Sequence, residues 1–150
     1  MDLSGFLKAS PLLSGFSDDG VKIVQSAATL RSVRAGSPIF VEQMQGESLF
    51  LIAEGGIELY LSRGGVDRVL ATLEAPEHFG ELSLVRPGPR QVSARATVDT
   101  RLVEIGRRDF LSLQKQRPQA CMKLMLNVME RFVERSSVVT PVMHRLAELA

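Results

Sequence analysis

Glu81 and Arg90 bracket the segment of this chain that is richest in chemistry: His78-Phe79-Gly80-Glu81-Leu82-Ser83-Leu84, then Val85-Arg86-Pro87-Gly88-Pro89-Arg90. Its residue types read as the end of a strand, one short helical turn, a tight Pro-Gly loop and a new strand over Gln91–Ala96. A helix start presents unpaired backbone N–H groups and a positive dipole end, so it attracts an anion. Arg90 re-enters where the loop closes, and its guanidinium fork matches two oxygens of a phosphate. Glu81 can only accept hydrogen bonds, which suits a hydroxyl donor such as a sugar 2′-OH. The same pair could also close the loop as a simple ion pair, and spacing alone leaves both readings open.

Little else in the chain points to chemistry. The sequence holds no Walker-type phosphate loop, no G-x-G-x-x-G and no G-x-S-x-G, so no enzyme is expected. A metal-binding β-roll needs clustered histidines, whereas only His78 and His144 occur, far apart. His78 is read as a polar turn residue and His144 as a helix-surface residue, and no metal or cofactor is expected. With Cys121 the sole cysteine, neither an intramolecular disulfide nor a cysteine-built zinc site is expected. A net charge of +1 gives no global field for nucleic acid. No apolar run approaches the ~20 residues that span a bilayer, and MDLSGFLKAS lacks a signal peptide's basic start. The expectations are a cytoplasmic protein, no membrane and no direct nucleic-acid partner.

The elements that must hold the pair are divided by glycine. All 12 glycines lie at or before Gly106, which marks a turn-rich β body followed by a helical tail. Charge divides there too, with residues 1–106 net acidic and 107–150 net basic. The chain is read as one domain over 1–150: N-terminal helices 1–29, a β-roll at about 30–106 and a tail 107–150. Ahead of the strands a helix is visible, with Ser17 as N-cap and Asp18 and Asp19 in its first turn. The body shows strands at Leu30–Arg34, Ile39–Glu42, Ser48–Ala53, Ile57–Ser62, Val69–Leu73, Gln91–Ala96 and Leu102–Ile105. Seven short strands separated by glycine turns indicate a sandwich, jelly roll or barrel. In the tail Asp109 is expected to cap Phe110–Gln116, Pro118 to interrupt, and a long helix to run from Ala120. Val128, Phe132, Arg135, Val139, Val142, Leu146 and Leu149 step by fours and threes as a heptad seam. That seam would make a homodimer or fold back on the barrel. Thr140-Pro141 would cap and begin a separate last helix if Pro141 ends the long one.

Phe79-Gly80-Glu81-Leu82-Ser83-Leu84, Pro89-Arg90 and Ala94-Arg95-Ala96 resemble the phosphate-binding cassette of the cyclic-nucleotide-binding domains. That family includes the sensory domain of the catabolite activator and the regulatory subunits of cAMP-dependent kinase. The resemblance spans roughly residues 10–135, with Pro11–Phe16, Val33–Ile39 and Leu49–Gly55 fitting the lead-in, an early turn and the middle strand. It implies a mainly β double-stranded roll, jelly-roll-like, with flanking helices and a long C-terminal helix. It implies cAMP or cGMP as ligand. Glu81 and the Gly80 N–H would take the ribose, and Arg90 the cyclic phosphate with N–H groups around Leu82, Ser83, Gln91 and Val92. Leu59, Leu70 and Ala71 would line the cavity, and Arg131, Arg135, Ser136 and Ser137 would be the tail's base-facing candidates. Two departures stand out. Gln91 replaces the family's small residue beside the phosphate, and Glu42-Gln43 replaces a frequent Glu-Gly, where an altered turn is expected. The expected function is a stand-alone cyclic-nucleotide sensor that signals to a protein partner through its C-terminal helix, without an output domain in the chain. The alternative is a degenerate relative that keeps the fold as a dimerisation or interaction module.

Overall fold

The computed structural model describes residues 2–136 and 140–149, with only the backbone of residues 140, 142 and 143. Helix α1 (Leu3–Ala9), a 3-10 turn (Pro11–Leu13) and α2 (Asp18–Gln25) precede the sheets. As predicted, Ser17 Oγ accepts from the Gly20 N–H at 3.1 Å, with Asp18 and Asp19 in the first turn of α2.

One antiparallel sheet orders β1 (Ala28–Val33), β10 (Thr100–Gly106), β4 (Ser48–Glu54) and β7 (His78–Phe79) side by side. The second orders β2 (Pro38–Phe40), β9 (Ser93–Ala96), β5 (Gly56–Arg63) and β6 (Val66–Glu74), and a ribbon pairs β3 (Gln45–Gly46) with β8 (Gly88–Pro89). The seven sequence-read strands all occur. Three further strands are two residues each: β7 lies at the strand end read at the start of the His78 segment, while β3 and β8 are too short for any periodicity.

The run Leu49-Phe50-Leu51-Ile52 is apolar throughout because β4 is buried on both faces. Leu49 and Leu51 face the helices with Leu7, Leu12, Val24, Val103, Ile105 and Leu124. Phe50 and Ile52 face the other sheet with Phe40, Ile57, Phe79 and Leu102. The protein therefore has a helix-side core and a barrel core with β4 between them.

The barrel opens onto α3 (Leu82–Val85), and β10 leads into α4 (Arg107–Gln116), α5 (Pro118–Ser136) and α6 (Thr140–Leu149). Asp109 does not cap α4. The extended backbone of Gly106 occupies the cap position, and Asp109 adds only its charge to the first turn. Pro118 stands at the start of α5, where its missing N–H has no helical partner to lose. The expected seam divides between two environments. Val128 is buried in the helix-side core beside Leu124, whereas Phe132, Leu146 and Leu149 are exposed. Val139 and the side chain of Val142 lie outside the described residues, as does residue 137. Pro141 falls in the first turn of α6.

Candidate ligand-binding site

Arg90 is the centre of the site, and its surroundings explain how a guanidinium can lie 8% exposed. Nη1 donates to Ser83 Oγ at 2.9 Å and Nη2 to the Ser48 carbonyl at 3.0 Å. The guanidinium lies over the Phe40 ring, 4.2 Å from its centroid. Two glycines make room for it. A Cβ on Gly46 would stand 2.7 Å from both Arg90 Cδ and Ser83 Oγ, and one on Gly80 would stand 2.9 Å from Nη1. The Arg90 backbone is fixed as well, its N–H donating to Met44 O at 2.7 Å and its carbonyl accepting from Gln43 N–H at 2.9 Å.

No carboxylate pairs with Arg90 among the described residues, and its buried Nε has no hydrogen-bond partner. Burial lowers its proton affinity below the ordinary arginine value, opposed by the field of Glu104, but a guanidinium remains charged. A desolvated cation without an anion is costly in isolation, so the arrangement fits an anionic ligand. The simple Glu81–Arg90 ion pair is not formed. Glu81 instead meets Arg135 of α5, Oε1 to Nη1 at 3.5 Å, while Arg135 Nη2 donates to the His78 carbonyl at 2.7 Å.

Arg90 and Glu81 line an open cavity of about 1040 Å³ whose walls are mostly apolar. Of the residues singled out from the sequence, Gly80, Glu81, Leu82, Ser83, Arg90, Gln91, Val92, Leu59, Ala71 and Arg135 all line it. Leu70 and Ser136 do not. On β6 alternate residues face opposite ways, so Ala71 and Leu73 point inward while Leu70 is out in solvent. The Ser136 hydroxyl donates to the Phe132 and Val133 carbonyls of its own helix. Arg131 is absent from the lining and pairs with Glu134 at 2.8 Å. Ser137 lies outside the described residues. Among the described residues no cluster of His, Cys, Asp and Glu could hold a metal.

Sequence reasoning missed Phe40, Leu73 and Phe79 as lining residues and Gly46 and Ser48 as supports of Arg90. Their only local signals are apolar alternation and a glycine in an apparent turn. His78 is corrected too. It is a strand residue 1% exposed, not a polar turn.

The family model of the cyclic nucleotide-binding domain matches residues 30–117. The chain belongs to the cyclic nucleotide-binding domain family. It is 38% identical over 113 residues to the cyclic AMP receptor protein of Thermus thermophilus, covering 75% of this chain and 52% of that protein. The chain thus spans about half the length of that relative. The structure of the Thermus thermophilus catabolite activator protein superposes with a TM-score of 0.76 at 32% identity, covering 90% of this chain and 63% of the other. The N-terminal domain of a transcriptional regulator from Streptomyces coelicolor superposes at 0.77 with 25% identity, covering 89% and 94%. Among the described residues no helix is long and apolar enough to cross a membrane.

Proposed function

We propose that this chain binds a 3′,5′-cyclic purine nucleotide, cAMP in preference to cGMP, and reports it through movement of α5 to a protein partner in the cytoplasm. The observation that carries the reading is Arg90, a buried cation with no carboxylate partner among the described residues, in the wall of a cavity of suitable chemistry. Its guanidinium takes the cyclic phosphate, and N–H groups around Leu82, Ser83, Gln91 and Val92 assist. Glu81 accepts from the ribose 2′-hydroxyl, while Leu59, Ala71 and Leu73 cover the base with apolar surface. Because Arg135 holds Glu81 and the His78 carbonyl at once, a hydroxyl arriving at Glu81 competes with a contact that seats α5. The ligand shifts the helix by its differential affinity for the two arrangements.

The same helix supplies a second reading, a homodimer. Met122, Leu126, Met129 and Val133 are all exposed and step by 4, 3 and 4 along its outer face. A heptad stripe is self-complementary, so a second copy of the chain is the partner that covers it. Calorimetric titration with cAMP and cGMP side by side tests the nucleotide reading. Saturable heat with either is expected, larger in affinity for cAMP. No heat and no thermal shift at millimolar concentration would leave a dimerising fold without ligand.

A further inference from the structure

His78 is the buried titratable group that the proposed binding does not use. The pairings Leu51 with His78 and Phe50 with Phe79 set these neighbours on opposite faces of the sheet. Phe79 enters the barrel core, and His78 shares the face of Leu51, beneath α5. There its Nε2 is buried without a hydrogen-bond partner, and so is Nε of Arg131 on α5. The charged groups that act on it from α5 are Arg131 and Arg135. On β4 its paired neighbour is the uncharged Leu51. Of the carboxylates around them, Glu134 pairs with Arg131 and Glu81 with Arg135, while that of the adjacent Glu77 accepts from the Glu74 N–H at 2.9 Å.

We propose that His78 is a proton-binding site that controls the seating of the last two turns of α5, its protonation loosening the helix from the barrel. A charged imidazole in this place would be desolvated and set against two guanidiniums. The helix must lift, admitting water and separating the charges, before the ring can hold a second proton. In the seated arrangement the imidazole is pushed down from 6.5 to about 3, by burial first and then by Arg135 and Arg131. A group depressed in one arrangement favours that arrangement fully above its free value and progressively less as pH falls toward the depressed one. The seated-to-lifted ratio is therefore level above about pH 7 and falls about tenfold between pH 7.5 and 5.5. Arg135 carries the effect to the cavity, since lifting α5 also parts it from Glu81. That last consequence for nucleotide rests on the function proposed above; the effect on α5 does not.

The test uses the full chain without nucleotide. Amide exchange in α5, corrected for intrinsic rates, is compared at pH 7.5 and 5.5 for the parent and His78→Phe. The last turns of the parent are expected to lose about tenfold of their protection, with the variant flat. In the parent, the imidazole of His78 followed by NMR is expected to titrate well below the ordinary histidine value of 6.5. If His78→Phe fails to fold, the parent's titration decides alone. A His78 that titrates at the ordinary value of 6.5, or an equal loss of protection in the variant, overturns the proposal. A parallel titration with cAMP and cGMP at both pH values separates the two ideas. Absence of nucleotide heat removes the function reading and leaves the exchange result standing.

Discussion

Arg90 needs its setting more than its identity. Charge-assisted bonds from a guanidinium to a phosphate are worth about 1.5–3 kcal/mol, against about 1 kcal/mol for a bond between neutral groups. Arg90→Ala is accordingly expected to weaken cAMP binding about ten- to hundredfold, and more than Glu81→Ala, by calorimetry. Binding of Arg90→Ala as tight as the parent would show the pocket to be misassigned. Gly46 tests the setting without touching the charge. Alanine there places a methyl 2.7 Å from Arg90 Cδ and Ser83 Oγ, so the guanidinium has to move off Phe40. Gly46→Ala is expected to keep the fold and lose about tenfold in nucleotide affinity, the equivalent of one charge-assisted bond. Arg90 was legible as a candidate from its place after Pro89. Gly46 was not, because its neighbour is remote in sequence and only the β3–β8 ribbon brings the two together.

At the scale of the element, the turn between β2 and β3 carries a strain that its sequence announces. Gln43 holds φ at 75°, the left-handed region where the Cβ of an L-residue is crowded, while its N–H donates to Arg90 O. At the Glu42-Gln43 turn a glutamine thus holds a conformation that glycine adopts at lower cost. Gln43→Gly is expected to raise stability by about 1 kcal/mol, or about 2–4 °C in Tm, read by thermal denaturation. The cap of α2 runs in the opposite direction. Ser17→Ala removes the acceptor for the Gly20 N–H and is expected to lower stability by about 1 kcal/mol in the same measurement. Both effects are local, which is why the sequence exposes them. The start of α4 shows the limit of that reasoning, because Asp109 has a good cap's chemistry and β10 simply delivers Gly106 to the position first.

For the whole molecule, α5 decides what the protein shows to others. Its inner face is anchored by Leu124, fully buried, and by Asn127, whose amide donates to Leu12 O at 2.8 Å and Ser14 O at 3.0 Å. Its outer face leaves Leu126 and Met129 more than half exposed. Replacing both by Asp is expected to lower the sedimentation mass from dimer to monomer at tens of micromolar, with the fold intact. Equal monomer masses in parent and variant would end the dimer reading. The sequence by itself determined a β body followed by a helical tail, because glycine placement and strand alternation are imposed residue by residue through backbone sterics and burial. It also put Glu81 and Arg90 forward together as candidates, because both lie within one short segment. Only the tertiary structure decided which face of α5 meets the barrel. A helical stripe at 121, 124 and 128 and one at 122, 126, 129 and 133 have similar periodicity, and the first of them packs in the helix-side core with Leu51 of β4. It alone also placed Phe40 under Arg90, buried His78 beneath two arginines and turned Leu70 outward. Each of these depends on a register or a contact between residues far apart in the chain, where a shift of one position reverses which side a residue faces.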